Sequence, residues 1–302
     1  MTNINGTLNL PLPKGSFTIM VGDKKYSETN AFTVYGLSKI LTPGATVFSN
    51  SGGMFPYCKV GTGTESITRD SIAMGEVISG ITTIIAVNLT FFSEDGVRYA
   101  QQTVTYNVQR SISTTVITEI GLTEFGDGGN LLCGKLLEGP IPVTGELPLT
   151  ILYSVRIPIF SEYISILDVP PTNIGIGVFG YSFNMRTFIE VDANTIVCCL
   201  PAATPRITNS PYSTFNISNI PQAASLGSYT CIRTTQNYGV DYDITAVITG
   251  TSTVGTISKF SCGYSTGAPD SVQVAFDGPP FPTKPSGWKF KVHFGVSIKW
   301  LE

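Results

Sequence analysis

Phe290-Lys291-Val292-His293-Phe294-Gly295-Val296-Ser297-Ile298-Lys299-Trp300 alternates apolar and polar side chains almost to the end of the chain. Phe290, Val292, Phe294, Val296, Ile298 and Trp300 fall on one side, and Lys291, His293, Ser297 and Lys299 on the other. A period of two is the mark of a strand with one buried face. At about 3.3 Å per residue the run reaches roughly 36 Å, enough to cross a full sandwich of sheets. Two segments repeat the pattern. Leu149, Ile151, Tyr153, Val155, Ile157 and Ile159 alternate with Thr150, Ser154 and Arg156, and Val104, Tyr106 and Val108 alternate with Thr105, Asn107 and Gln109.

Turn signals stand between the strands: Asp95-Gly96, Asp127-Gly128-Gly129-Asn130, Asp277-Gly278-Pro279-Pro280 and Lys284-Pro285-Ser286-Gly287. Residues 68–79 bring Ile72, Val77 and Ile78 near one face, but Gly75 and the β-branched residues argue against a long helix. No helix-period segments alternate with the strands, which disfavours a parallel α/β sheet. The expected fold is all-β: an antiparallel β-sandwich, jelly-roll-like, with an extended N-terminal arm. Residues 1–45, rich in turns, read as that arm or an edge segment. Residues 46–302 read as the sandwich body, with 165–270 an insertion or second β subdomain.

Composition narrows the function classes. Lys and Arg total 18 and Asp and Glu 21, so 13% of the 302 residues are charged, against about 25% in an average domain. The net charge of −3 provides no clustered cations for phosphate, so neither a nucleic-acid footprint nor a polybasic membrane surface is expected. Mean hydropathy is +0.20, yet no apolar run approaches the roughly 18 residues needed to span a bilayer. The N-terminal residues Met1 to Asn5 hold no basic residue and no apolar core of a secretory signal. Low charge with 13 Tyr and 17 Phe fits a surface that buries against other proteins, because interface centres are enriched in aromatics and depleted in Lys, Glu and Asp.

No constellation in the chain demands catalysis. The six cysteines, at 58, 133, 198, 199, 231 and 262, lack the spacing of a zinc site and read as buried thiols. His293 is the lone histidine and falls on the polar side of its strand, and no Gly-x-Ser-x-Gly elbow accompanies it. Asp241 and Asp243, two residues apart, share one strand face, the placement of a glycosidase pair or a calcium site, though surface carboxylates commonly pair this way. Gly61-Thr62-Gly63-Thr64 lacks the helix and the lysine of phosphate-binding loops and reads as a glycine-permitted turn after Cys58-Lys59-Val60. No catalytic, metal or cofactor residue is assigned.

The order of several segments resembles tailed-bacteriophage virion structural proteins. Tyr57-Cys58-Lys59-Val60-Gly61-Thr62-Gly63-Thr64, followed by Asp70-Ser71-Ile72-Ala73-Met74-Gly75-Glu76-Val77, is similar to a Val-Gly-Thr-Gly-Thr turn that precedes an Asp-Thr-x-Leu-Gly-x-Glu segment in that group. Ile117-Thr118-Glu119-Ile120-Gly121-Leu122, Leu131-Leu132-Cys133-Gly134-Lys135-Leu136 and Leu149 to Pro158 resemble its succeeding strands. Val274 to Pro280 and Val292 to Trp300 resemble its closing pair, with Lys284 a few residues later than the lysine of the pattern. The likeness covers about residues 30–160 and 270–302. It implies a non-enzymatic component of the tail, collar or fibre-attachment region, assembled in the host cytoplasm, homo-oligomeric and contacting other virion proteins, without cofactors. The alternatives are a capsid decoration or head-fibre protein, a host-glycan receptor-binding module using the tyrosines and residues 165–270, and a glycoside hydrolase built on Asp241 and Asp243.

Overall fold

A computed structural model describes residues 3–78, 81–109, 115–126, 128–145, 147–160, 164–173, 178–201, 215–218, 225–236, 238–249, 259–262, 272–277 and 290–301. Among them lie 21 strands and one short helix. The chain is therefore all-β, and every strand pairing is antiparallel except the one that joins the two ends of the chain.

The periodic segments form the strands expected of them. Leu149–Pro158 buries Leu149, Ile151, Tyr153, Val155 and Ile157 completely, and the residues between them stay half-buried. It is the middle strand of a broad five-stranded sheet, in the order Lys24–Thr29, Lys14–Val21, Leu149–Pro158, Val97–Gln109, Ile81–Glu94. The last two are joined by the Asp95-Gly96 turn, both residues at positive φ (51° and 76°). That conformation matches the right-handed twist of a two-residue hairpin.

In place of one two-sheet jelly roll, the strands form five small sheets, a propeller-like arrangement. A second sheet holds Ala31–Phe32, Gly128–Val143, Thr115–Phe125 and Tyr57–Gly61. The terminal sheet runs Asn3–Pro11, Phe290–Leu301, Gly239–Thr249, Ser225–Gln236. A three-stranded sheet contains Phe188–Asp192, Thr195–Cys198 and Thr46–Phe48, and a fifth contains Ile164–Asn173, Val178–Met185, Val272–Asp277, Lys259–Cys262 and Phe215–Ser218. The departure has a physical reason. Period two reports which side of a strand is buried, not which strand lies beside it, and only Arg186 and Thr187 separate a strand of the fifth sheet from one of the three-stranded sheet.

Residues 1–45, expected as an arm or edge segment, pair with the body, and Asn3–Pro11 and Lys24–Thr29 stand at sheet edges. Asn3–Pro11 lies parallel to Phe290–Leu301 with Thr7 opposite Ser297, and it buries Leu8 and Leu10. Lys14–Val21 and Lys24–Thr29 then enter the broad sheet. Residues 165–270 contribute strands to the terminal, three-stranded and fifth sheets. Of the quoted turns, Asp127, Gly278–Pro280 and Lys284–Gly287 lie outside the described residues.

The broad sheet faces the second sheet across an aromatic core. Phe55 meets Tyr153 at 5.5 Å between ring centroids, and Phe32 and Phe48 each at 6.4 Å. Its backbone carbonyl accepts the Tyr106 hydroxyl. The Tyr153 hydroxyl accepts from Cys133 Sγ at 3.2 Å, so the two sheets are tied by a polar contact inside an apolar layer. One short helix, Val34–Ile40, closes the side of this core. Thr33 caps it by accepting from Gly36 N at 3.0 Å while its hydroxyl lies 2.5 Å from the Leu131 carbonyl. Tyr35 and Lys39 both reach Glu124, Lys39 at 2.6 Å. Burial alone would raise the Glu124 carboxyl, but the hydrogen bonds from Lys39 and Tyr35 outweigh it and hold the group below its usual range.

Cys58, Cys133, Cys198, Cys199 and Cys231 are buried thiols. Burial pushes Cys133 and Cys198 up to about 12 from an ordinary value of 9.0, and it raises Cys58 and Cys199 as well. Unfolded thiols ionise near 8.5. Folding stability is thus untouched by these groups below about pH 8.5 and falls as the pH climbs from there, because only the unfolded chain releases their protons. Two outcomes are expected. Ellman's reagent at pH 8 reaches no more than Cys262 in the native protein and all six thiols in urea, and the urea midpoint is lower at pH 10 than at pH 7.

Candidate functional site

Thr62 to Val77 crosses from the Tyr57–Gly61 strand toward the broad sheet without regular structure of its own, apart from one isolated bridge at its end. Loops of this length inside a compact fold are uncommon, and those that exist are commonly functional. This one has an unusual anchor. Glu119 stands in the centre of the second sheet, 1% exposed, in a strand where an ordinary carboxylate would point to solvent. Its Oε1 accepts from Gly63 N at 3.1 Å and from Glu76 N at 2.8 Å, and its Oε2 accepts from Gly75 N at 3.0 Å. One side chain therefore holds both ends of the loop. Charge-assisted hydrogen bonds of this kind contribute about 1.5–3 kcal/mol each.

The neighbouring backbone completes the closure. Thr118 Oγ1 donates to the Gly63 carbonyl at 2.7 Å, so adjacent residues take both polar groups of Gly63. Thr62 N donates to the Glu76 carbonyl at 2.8 Å, and Ile78 N to Val60 at 2.9 Å. Farther along, the loop offers its carbonyls outward to the body: Arg69 O accepts from Val34 N at 2.8 Å and Ile72 O from Leu131 N at 2.9 Å.

Missing side chains make room for the anchor and the loop. A Cβ on Gly63 would stand 2.5 Å from Glu119 Oε1. In the sheet beneath, Gly121 pairs with Gly134, and a Cβ there would stand 3.0 Å from Met74 Sδ or 2.8 Å from Ile67 Cδ1 respectively. The loop lays Met74, 8% exposed, and Ile67 into this trough. The Thr115–Phe125 strand consequently loses its alternation: from Glu119 to Thr123 every residue is buried, with the core on one side and the loop on the other. Gly61, Gly63 and Gly75 do not take positive φ. Gly61 and Gly63 are glycines for want of space, which replaces the expected reason, a glycine-permitted turn.

What the anchored loop displays is a mixed surface. Ile72 is 75% exposed at its outermost part, near Asp70 and Ser71. Beside it a cleft of about 340 Å³ is lined by Val34, Tyr35, Ser38, Arg69, Ile72 and Thr235. The Arg69 guanidinium lies over the Tyr238 ring at 5.3 Å and links the loop to the terminal sheet. An apolar tip on a rigid base, next to a shallow cleft, suits contact with another protein surface.

The other candidate residues gather on the outer face of the terminal sheet. Asp241 and Asp243 do share a face, as their spacing predicts, with Tyr242 buried between them. Each is engaged by a different neighbour. Asp241 accepts from Ser297 Oγ at 2.5 Å and Gln236 Nε2 at 2.9 Å, while Asp243 lies 2.8 Å from His293 Nε2. Ser297 donates to Asp241 and His293 engages Asp243, so the two are held as separate pairs with no Ser–His relay between them. Among the described residues no group of three or more His, Cys, Asp or Glu is placed to hold a metal ion. Residue chemistry alone does not distinguish Glu119 from other carboxylates of the chain. The available signal was a lone carboxylate inside the apolar run Val116 to Leu122.

No protein-family model, curated protein or solved structure matches this chain.

Two variants test the anchor. Glu119→Ala leaves buried donors unpaired and is expected to lower stability by about 3 kcal/mol or more, read as the urea midpoint, with protease cleavage appearing first within Thr62 to Val77. Gly63→Ala, which forces a methyl against the carboxylate, is expected to open the same cleavage site; a loop that stays resistant in both variants contradicts the anchoring role.

Proposed function

We propose that this chain is a non-enzymatic structural component of a bacteriophage virion, of the tail, collar or fibre-attachment region, and that it acts by protein–protein assembly. The observation that carries the reading is a convergence. The segments of the sequence resemblance, Val60 to Thr64, Gly75-Glu76, Ile117 to Leu122 and Leu131 to Leu136, are separate in the chain but form one unit around the Glu119 carboxylate. Residues whose order forms the resemblance are thus partners in a single physical device, which holds a surface loop in place. The low charge and the exposed apolar side chains Ile72, Ile85, Phe125 and Val191 support burial against neighbours in an assembly. The partners in this reading are other virion proteins and further copies of the chain.

A second reading, recognition of a host glycan, has one observation in its favour. An open cleft of about 530 Å³ on the terminal sheet is lined by Gln236, Tyr238, Asp241 and Lys299, an amide, a ring, a carboxylate and an ammonium of the kinds that hold saccharide hydroxyls. Asp241 is already engaged by Ser297 and Gln236, which leaves assembly the better supported function.

Peptide mass spectrometry of purified phage particles, with copy number taken against the major capsid protein, tests the proposal. A few to a few dozen copies are expected. Hundreds would point to capsid decoration, and absence from particles would overturn the reading.

A further inference from the structure

The broad sheet has two very different edges. At one side Lys24–Thr29 is six residues long and carries Lys24, Lys25 and Glu28, the short charged edge with which proteins block unwanted pairing. At the other side Ile81–Glu94 is fourteen residues long, about 45 Å at the usual rise. Its sequence, ITTIIAVNLTFFSE, contains no proline and no lysine. Its single charge, Glu94, is paired with Arg156 at 2.6 Å. Among the described residues no strand pairs with its outer edge.

Burial along this strand is incomplete in a telling way. Ile84, Val87, Leu89 and Phe91 pack against the core but remain half-buried, whereas Val104 and Tyr106 of the adjacent strand are fully buried. One more strand beyond the edge, bringing its own apolar row, would close the layer. Ile85, at the register shift between Ile84 and Ala86, is 60% exposed.

We propose that Ile81–Glu94 is a self-pairing edge, and that two copies of this chain join along it as antiparallel strands to make one continuous ten-stranded sheet. The inference deepens the assembly reading, and rests on it, by naming a second copy as the first partner. A second copy fits for three reasons. An antiparallel pair about a two-fold axis is self-complementary, so the unpaired N–H and C=O groups meet their own complement. The partner's Ile84, Val87, Leu89 and Phe91 supply the apolar cover that the edge lacks. An axis at Asn88 sets Asn88 opposite its own copy and Val87 opposite the partner's Leu89 on the core face, and it brings no like charges together. The guarded edge then decides closure: joining the open edge to Lys24–Thr29 of the next copy would build an endless filament, which Lys24 and Lys25 oppose, so pairing ends at the dimer.

Light scattering on the eluting protein tests this. The full chain is expected at twice 32.3 kDa, dissociating on dilution. Asn88→Lys, on an exposed position at the axis, sets like charges across it and is expected to elute at the monomer mass, with the melting temperature of the wild-type chain diluted until it too is monomeric. Mixing Asn88→Lys with Asn88→Asp chains is expected to restore the dimer. If the lysine variant fails to fold, amide exchange of the wild-type chain serves instead, with protection across 81–94 rising with concentration. A wild-type chain that stays monomeric up to its solubility limit, a dimer indifferent to Asn88→Lys, or exchange across 81–94 that ignores concentration overturns the proposal. A monomeric chain that is nevertheless found in particles contradicts the edge pairing alone; a dimeric chain absent from them contradicts the virion reading alone.

Discussion

A carboxylate taken out of water must find donors, because an unpaired buried charge costs more than most folds can spare. Glu119 meets that requirement with three backbone N–H groups drawn from two points of the chain twelve residues or more apart. The arrangement works in both directions. The loop satisfies the charge, and the charge fixes where the loop begins and ends, so neither is stable without the other. Glycine at Gly63 leaves the volume that the carboxylate occupies, and glycine at Gly121 and Gly134 leaves room for Met74 and Ile67 of the loop. From this one constraint follow the burial of both faces of the Thr115–Phe125 strand, the seat of Met74 and the projection of Ile72.

The rest of the structure protects that unit. The aromatic cluster about Phe55 holds the broad sheet against the second sheet from beneath. The helix after Thr33 is pinned from two sides, by Glu124 of the second sheet and by Trp300, whose indole N–H donates to the Leu37 carbonyl at 3.3 Å. Trp300 belongs to Phe290–Leu301, which pairs in parallel with Asn3–Pro11. This parallel pair of strands thus lies beside the element that abuts the loop.

The sequence was informative where physics is local. Alternation at Leu149 to Ile157 and at Phe294 to Trp300 marked the buried faces correctly, and Asp95-Gly96 marked its hairpin. It was silent where partners come from far away. Nothing local separates two facing sheets from five small ones, since a strand's period is the same whichever neighbour it finds. The helix escaped notice because Val34 to Ile40 spans barely two turns, carries Gly36, and is held by tertiary contacts to Leu131, Leu132 and Glu124 and not by its own propensity. Residues 1–45 read as an arm or edge segment because their turns are frequent, while the partners of Asn3–Pro11 and Lys14–Val21 lie more than a hundred residues away. Glu119 is the clearest case: its meaning lies in Gly63, Gly75 and Glu76, which only the folded chain brings to it.

The loop keeps its place only if those three amides are held by the Glu119 carboxylate in the native protein. Residue-resolved amide hydrogen exchange measures this directly. Gly63, Gly75 and Glu76 are expected to exchange slowly in the wild-type chain, at rates near those of the surrounding sheet, and all three to speed up together in Glu119→Gln while the amides of Leu149–Pro158 stay protected. Exchange of the three amides at the rate of an open loop in the wild type, or no change in the variant, would contradict this anchoring.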